Sequence, residues 1–320
     1  NTAHSVNIKE RLDFSCALFD REGQLIANAP HIPVHLGSMG EAVRALIQSR
    51  GGQFQPGDVY ASNAPYSGGT HLPDVTVITP VFAEIQSAKV SEVAAKVADG
   101  AEVGKAEKGA KDRATLASGS SATDGVREAA QGGAARPPYP LGHLDLLDYQ
   151  KSRGHQESVG RRAPEVLFYV ASRGHHADIG GITPGSMPPD SVTIDQEGVL
   201  LENFLLVRDG RLREAELLAL LTGGPWPVRN PRQNLADLQA QIAANEKGAQ
   251  ELRRMVAHYG LAVVAAYMGH VQDNAAEQVR RALDRLQDGH FAGEMDNGAV
   301  IQVAIRLDRA RRTARIDFTG

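Results

Sequence analysis

The chain has 320 residues, 42% of them hydrophobic, and a formal charge of −4. That is enough apolar material for one large domain or two smaller ones, and it excludes the basic excess of a nucleic-acid binder. No apolar run is long enough to argue for a membrane span, and a single cysteine, Cys16, excludes an intrachain disulfide and fits a reducing, cytoplasmic compartment.

Residues 6–28 read as two short strands around the turn Asp20-Arg21-Glu22-Gly23, and Cys16 reads as a small buried hydrophobe in the apolar run Phe14–Phe19. The segment Ala29–Gly40 holds Pro30 and Pro33, which predict extended backbone. On such backbone His31 and His35, four apart, share one side and either line a cleft or stay as polar loop residues. Ser38 or Gly37 is expected to cap a helix over Glu41–Gln48, with Val43, Leu46 and Ile47 inward and Gly51-Gly52 as its stop.

Two stretches then answer each other. Tyr66-Ser67-Gly68-Gly69-Thr70-His71-Leu72-Pro73-Asp74 is a glycine turn feeding the apolar strand Val75–Phe82. Leu167–Ala171 is a second apolar strand, emptying into Ser172-Arg173-Gly174-His175-His176-Ala177-Asp178-Ile179-Gly180-Gly181. Each carries a His-x-x-Asp tetrad, His71 to Asp74 and His175 to Asp178.

Imidazole and carboxylate together suit Zn, Mn or Fe, and a catalytic site of this kind keeps one position open for water. His71, Asp74 and His175 are the expected ligands, with Asp178 or His176 as a fourth ligand or orienting group. The competing reading is a pair of hydrogen-bonded caps on two turns. No Walker pattern and no strand-linked Gly-x-Gly-x-x-Gly is present.

Residues 84–164 break the character of the chain. Ala88–Ala135 is rich in Ala, Gly, Ser, Lys and Glu and has no aromatic residue, too little to offset its ordering entropy. It is expected to be either a disordered surface insertion or sequence left by a retained intron or gene-model error.

Downstream, Val199–Leu201 and Phe204–Val207 read as strands, Asp209-Gly210 as a tight turn, and Glu214–Leu221 as a short helix. Leu235, Leu238, Ile242, Asn245, Ala249, Leu252, Val256 and Tyr259 set a helical seam that ends at Gly260. A second seam, Val264, Met268, Val271, Ala275, Val279, Ala282 and Leu286, predicts a further helix, and both seams read as core packing. Ala299–Ile305 and Ala314–Phe318 predict a hairpin with one buried face. The fold class is therefore α+β, mixed sheets carrying the site plus a long helical segment over about 233–287. The chain starts at Asn1 and stops in strand-like sequence, so both ends read as cut from a longer polypeptide.

Several of these stretches resemble the hydantoinase B/oxoprolinase family. They are Asn7–Ser15, Pro30–Met39, Gly68–Asp74, Ser172–Gly181, Asn230–Leu238 and Ile242–Glu246, covering residues 1–83 and 165–320 as one domain. The resemblance is nearest to the second half of an ATP-dependent 5-oxoprolinase. It implies a cyclic amidase that opens 5-oxoproline to glutamate, in which a hydantoinase-A-like domain or subunit, absent from this chain, uses ATP and Mg to phosphorylate the ring amide. The part resembled here then completes hydrolysis of that small cyclic amide. A divalent metal on His71, Asp74 and His175 is implied, a homo-oligomer is expected, and His31 and His35 are the expected proton-transfer residues. An N-methylhydantoinase or hydantoinase B subunit, an acetone-carboxylase-like subunit, and a non-catalytic fragment remain the alternatives. The family joins the two apolar strands by a short turn, from which residues 84–164 depart.

Overall fold

In the computed structural model, residues 3–29, 32–83 and 165–319 are described. The expected insertion at 84–164 lies outside them, and so does His31. The described chain is α+β, as its patterning predicts.

The elements run α1 (Val6–Lys9), β1 (Phe14–Asp20), β2 (Leu25–Asn28), α2 (Pro33–Arg50), β3 (Val59–Ser62), a 3₁₀ turn (Pro65–Ser67), β4 (Asp74–Phe82) and β5 (Val166–His175). Then follow α3 (Ile194–Glu197), β6 (Phe204–Arg208), β7 (Arg211–Leu212), α4 (Glu214–Thr222), α5 (Pro231–Tyr259), α6 (Leu261–Leu283), β8 (Gly289–Glu294), β9 (Val300–Asp308) and β10 (Thr313–Asp317).

Seven strands form one sheet in the order β2-β1-β5-β4-β3-β6-β7, with every ladder antiparallel. Both faces of its centre are covered, which is why β4 reads as a nearly unbroken apolar run and all nine of its residues are buried. On one face Met39, Val43 and Leu46 of α2 meet Phe19, Tyr60, Ile78 and Tyr169. On the other, Leu238 and Ile242 of α5 meet Val75, Val77 and Leu206. The polar members of the α5 seam serve the sheet as well. The Asn245 amide donates to Val77 O, Val170 O and Thr79 Oγ1, so it ties α5 to β4 and β5 where a purely apolar side chain could not.

Several expectations need correction. The expectation of an extended Ala29–Gly40 segment fails from Ile32 onward: Ile32 is the N-cap and Pro33 the first residue of α2, which runs on to Arg50 and stops at left-handed Gly51. Proline fits that first position because its fixed φ is helical and its missing N–H would have had no partner. Val199–Leu201 is not a strand; it is held by Val199 N–H to Ile179 O and by the Asn63 side-chain oxygen, which accepts from Leu201 N–H.

In the second helical seam only Val264 and Met268 are buried, whereas Val271, Val279 and Leu286 are exposed. The C-terminal hairpin is joined by β8 into a three-stranded antiparallel sheet in which no residue is buried. Amphipathic patterning says which face of an element is apolar; it does not supply the surface that covers it.

Candidate metal centre

The centre lies where β4 begins and β5 ends. Asp74 and His175 are opposite one another in the ladder, and alternation along the two strands puts Asp74, Thr76, Arg173 and His175 on the α2 face. His71 arrives from the glycine turn three residues before Asp74. Two backbone bonds, Asp74 N–H to His71 O and Val75 N–H to Pro73 O, fold the His-x-x-Asp segment back on the strand start.

Asp74 is 1% exposed, and its carboxylate is surrounded by donors. Oδ2 lies 2.9 Å from His71 Nδ1 and 3.3 Å from His35 Nε2, and also accepts the Thr70 hydroxyl. Oδ1 lies 3.2 Å from His175 Nδ1, which also has Asp13 Oδ2 at 3.8 Å. Burial alone would raise the Asp74 pKa. The hydrogen bonds from His175, His35, His71 and Thr70 outweigh it and hold the carboxyl far below the usual range. The bond to Asp74 in turn raises His71 against the opposing effect of burial.

The rings of His71 and His175 are 4.9 Å apart between centroids, and one ligand atom from each of His71, Asp74 and His175 falls within 4.8 Å of the others. Two imidazole nitrogens facing one buried carboxylate are a donor set that fits a divalent cation.

His35 is 1% exposed and belongs to the layer beneath. Its Nδ1 is hydrogen-bonded to the Ser15 hydroxyl at 2.9 Å, and Ser15 Oγ accepts Ile32 N–H at 2.9 Å. Its Nε2 faces the Asp74 carboxylate, which can only accept, so Nε2 is the donor of that pair. His176 and Asp178 do not join the group. His176 points to the α5 face, between Gln241 Oε1 at 3.1 Å and the Asn234 amide at 3.0 Å, and burial lowers its pKa. Asp178 takes Arg229 Nη1 at 2.7 Å.

Sequence reasoning missed Ser15, Thr70 and Arg173. Thr70 stands inside the glycine turn already singled out; Ser15 and Arg173 carry no local signal, since each bonds to partners distant in sequence. Burial lowers the Arg173 pKa to about 10, with Asp74 opposing the shift, so it remains a cation near neutrality.

The profile of the Hydantoinase B/oxoprolinase family matches residues 1–116 and 155–320. The chain belongs to that family. It is 36% identical over 331 residues to a 5-oxoprolinase of Dictyostelium discoideum, covering 100% of this chain and 19% of the relative. It is likewise 36% identical over 343 residues to 5-oxoprolinase 1 of Arabidopsis thaliana, covering 100% of this chain and 21% of the relative. The chain thus spans about a fifth of the length of these relatives. A solved ATP-dependent caprolactamase from Pseudomonas jessenii has the same fold, with a TM-score of 0.62 at 23% identity, covering 95% of this chain and 39% of that one. Among the described residues, no helix is long and apolar enough to cross a membrane.

Proposed function

We propose that this chain is the hydrolytic part of an ATP-dependent cyclic amidase acting on 5-oxoproline, and that His71, Asp74 and His175 hold one divalent cation there. The observation that supports it most is the convergence of those three ligand atoms within 4.8 Å around a buried carboxylate, at the strand ends where the family motifs fall. The substrate follows the two 5-oxoprolinases at 36% identity. A cation bound there would act as a Lewis acid and lower the pKa of a coordinated water.

The chain's own residues do the rest. A ring amide resists attack because resonance shares the nitrogen lone pair with the carbonyl. Phosphorylation of its oxygen by a hydantoinase-A-like partner using ATP and Mg would make the carbon more electrophilic. Asp74 keeps its charge because four donors stabilise it, and it supplies the anionic ligand. His71, with a side chain 36% exposed, stands on the solvent side where substrate can approach. His35 is assigned the role of orienting Asp74 through its Nε2 hydrogen, its other nitrogen being fixed by Ser15. This placement differs from the proton-transfer role expected of it, because the ring is 1% exposed and its Nε2 is engaged with the carboxylate. His31 lies outside the described residues.

The test is metal analysis and titration of the purified chain with Mn²⁺ and Zn²⁺, followed by turnover in the presence of the ATP-using partner. One ion per chain, lost in His71→Ala, and product formation lost while ATP hydrolysis persists, is the expected result. Full turnover by His71→Ala would overturn the reading.

A further inference from the structure

Arg173 is the largest fully buried side chain of the described residues, and among them no carboxylate lies within ion-pair distance of its guanidinium. Its hydrogen-bond partners among the described residues are all neutral. Nε donates to Thr76 Oγ1 of β4 at 2.7 Å, Nη1 to Ser38 Oγ of α2 at 2.5 Å, and Nη2 to Gly68 O of the glycine turn at 2.8 Å. Burying a cation with no carboxylate in direct contact costs stability that Asp74 offsets only through space, and a well-packed apolar side chain would avoid that cost. The three bonds show what is gained in return: one rigid fork spans three separate elements, all of which border Asp74.

Of the three candidate ligands, two are fixed by the sheet. Asp74 and His175 are paired residues of β4 and β5. His71 is not in a strand; its position depends on how the turn before it is docked. That turn lies hard against α2 at Gly68, which has φ +82 and where a Cβ would come within 2.1 Å of Ala42 N. Gly69 N–H closes the turn on Ala64 O at 2.9 Å. The Gly68 carbonyl is the point at which Arg173 grips it from below.

We propose that Arg173 is a positioning residue for this centre: it clamps the Gly68–His71 turn onto α2 and β4, and so sets His71 at ligand distance from Asp74 and His175. The inference rests on the metal reading of those three residues. Lysine cannot substitute, because one ammonium on a flexible stem does not reach three acceptors on three elements in a planar fork.

The experiment uses two readouts on the whole chain. The first is amide hydrogen exchange at Gly69 in EDTA, which needs no metal. The second is the Mn²⁺ dissociation constant by calorimetry. Arg173→Gln and Arg173→Lys should both speed exchange at Gly69 while β4 and β5 stay protected, and both should weaken Mn²⁺ about 10–100-fold, as loss of an outer support does. Ser38→Ala and Thr76→Val, which remove single contacts at the clamp, should act in the same direction with smaller effect, and they decide the matter if neither Arg173 variant folds. Wild-type exchange and wild-type Mn²⁺ affinity in folded variants would overturn the proposal. So would full rescue by Arg173→Lys, which would assign the effect to charge alone. Failure of the metal reading looks different: the wild type itself would show no specific Mn²⁺ binding, or His71→Ala would bind Mn²⁺ as tightly as wild type, while the exchange arm would still report on the clamp.

Discussion

Asp74 opens β4 directly opposite His175, the last residue of β5, and the carboxylate reaches the imidazole at 3.2 Å across 101 residues of sequence. The buried carboxylate therefore depends on strand pairing for one of its donors and on the preceding turn for another. Replacing Asp74 with Asn should abolish specific divalent-metal binding while leaving the sheet in place, since the amide keeps the side-chain shape and one acceptor oxygen, and its NH₂ can donate to the imidazole nitrogen facing the other position. Calorimetric titration with Mn²⁺ checks it, with circular dichroism as the control for folding.

The buried chain Ile32–Ser15–His35–Asp74 makes a graded prediction. Removing an outer support of a ligand typically lowers metal affinity about 10–100-fold. His35→Ala should fall in that range and Ser15→Ala should lose less, because it frees the ring without deleting its donor. If His35 were instead the general acid or base, His35→Ala would lower turnover by about 10²–10⁴-fold with metal affinity intact. Measuring both quantities on the same variant separates the two.

Gly68 carries φ +82 and lies against the α2 backbone. A left-handed residue other than glycine costs about 1–3 kcal/mol, and here the added Cβ also meets Ala42 N. Gly68→Ala should therefore destabilise the chain by at least that amount in urea unfolding. Gly51→Ala, also left-handed but with open space around it, should cost only the conformational part. Equal losses in the two variants would mean that the turn is not seated on α2.

The pH dependence of stability follows from His176. Burial lowers its pKa from the ordinary value of 6.5. The unfolded chain then binds more protons than the folded one below that pH, so the contribution is fully present above about 6.5 and is lost as pH falls. His71 is shifted the other way, so wild type alone mixes the two. In EDTA, the stability difference between wild type and His176→Gln should shrink with falling pH, by up to about 1.4 kcal/mol per pH unit. A difference independent of pH from 5 to 7 would contradict a neutral, buried His176.

Phe82 at the end of β4 is paired with Val166 at the start of β5. The two strand ends are therefore close enough to be joined directly. Replacing residues 84–164 with a short turn should preserve the fold, with unchanged or higher yield of soluble protein and the same metal stoichiometry. Loss of soluble protein would show that those residues contribute to folding.

The sequence by itself determined the elements whose signal is local. The largely apolar run of Val75–Phe82 announced a strand, and the spacing of Leu238, Ile242, Ala249 and Leu252 announced α5. Asp209-Gly210 announced a tight turn, and both residues do have positive φ. The two His-x-x-Asp tetrads pointed to His71, Asp74 and His175 because glycine turns at strand mouths are where side chains can converge.

What needed the tertiary structure were the properties that depend on distant partners. Pro33 could stiffen an extended segment or start a helix; the packing of Met39, Val43 and Leu46 against the sheet favours the helix and carries His35 underneath Asp74. The seams of α5 and α6 look alike in sequence, yet one is covered by β4 and β5 while most of the other faces solvent. Arg173 reads as a polar residue in a strand–turn motif, and only three acceptors from α2, β4 and the turn make it a buried clamp. A periodic pattern fixes which residues share a face, but the free energy of burying a charge or an apolar stripe depends on what lies opposite, and that is set by the pairing of elements far apart in the chain.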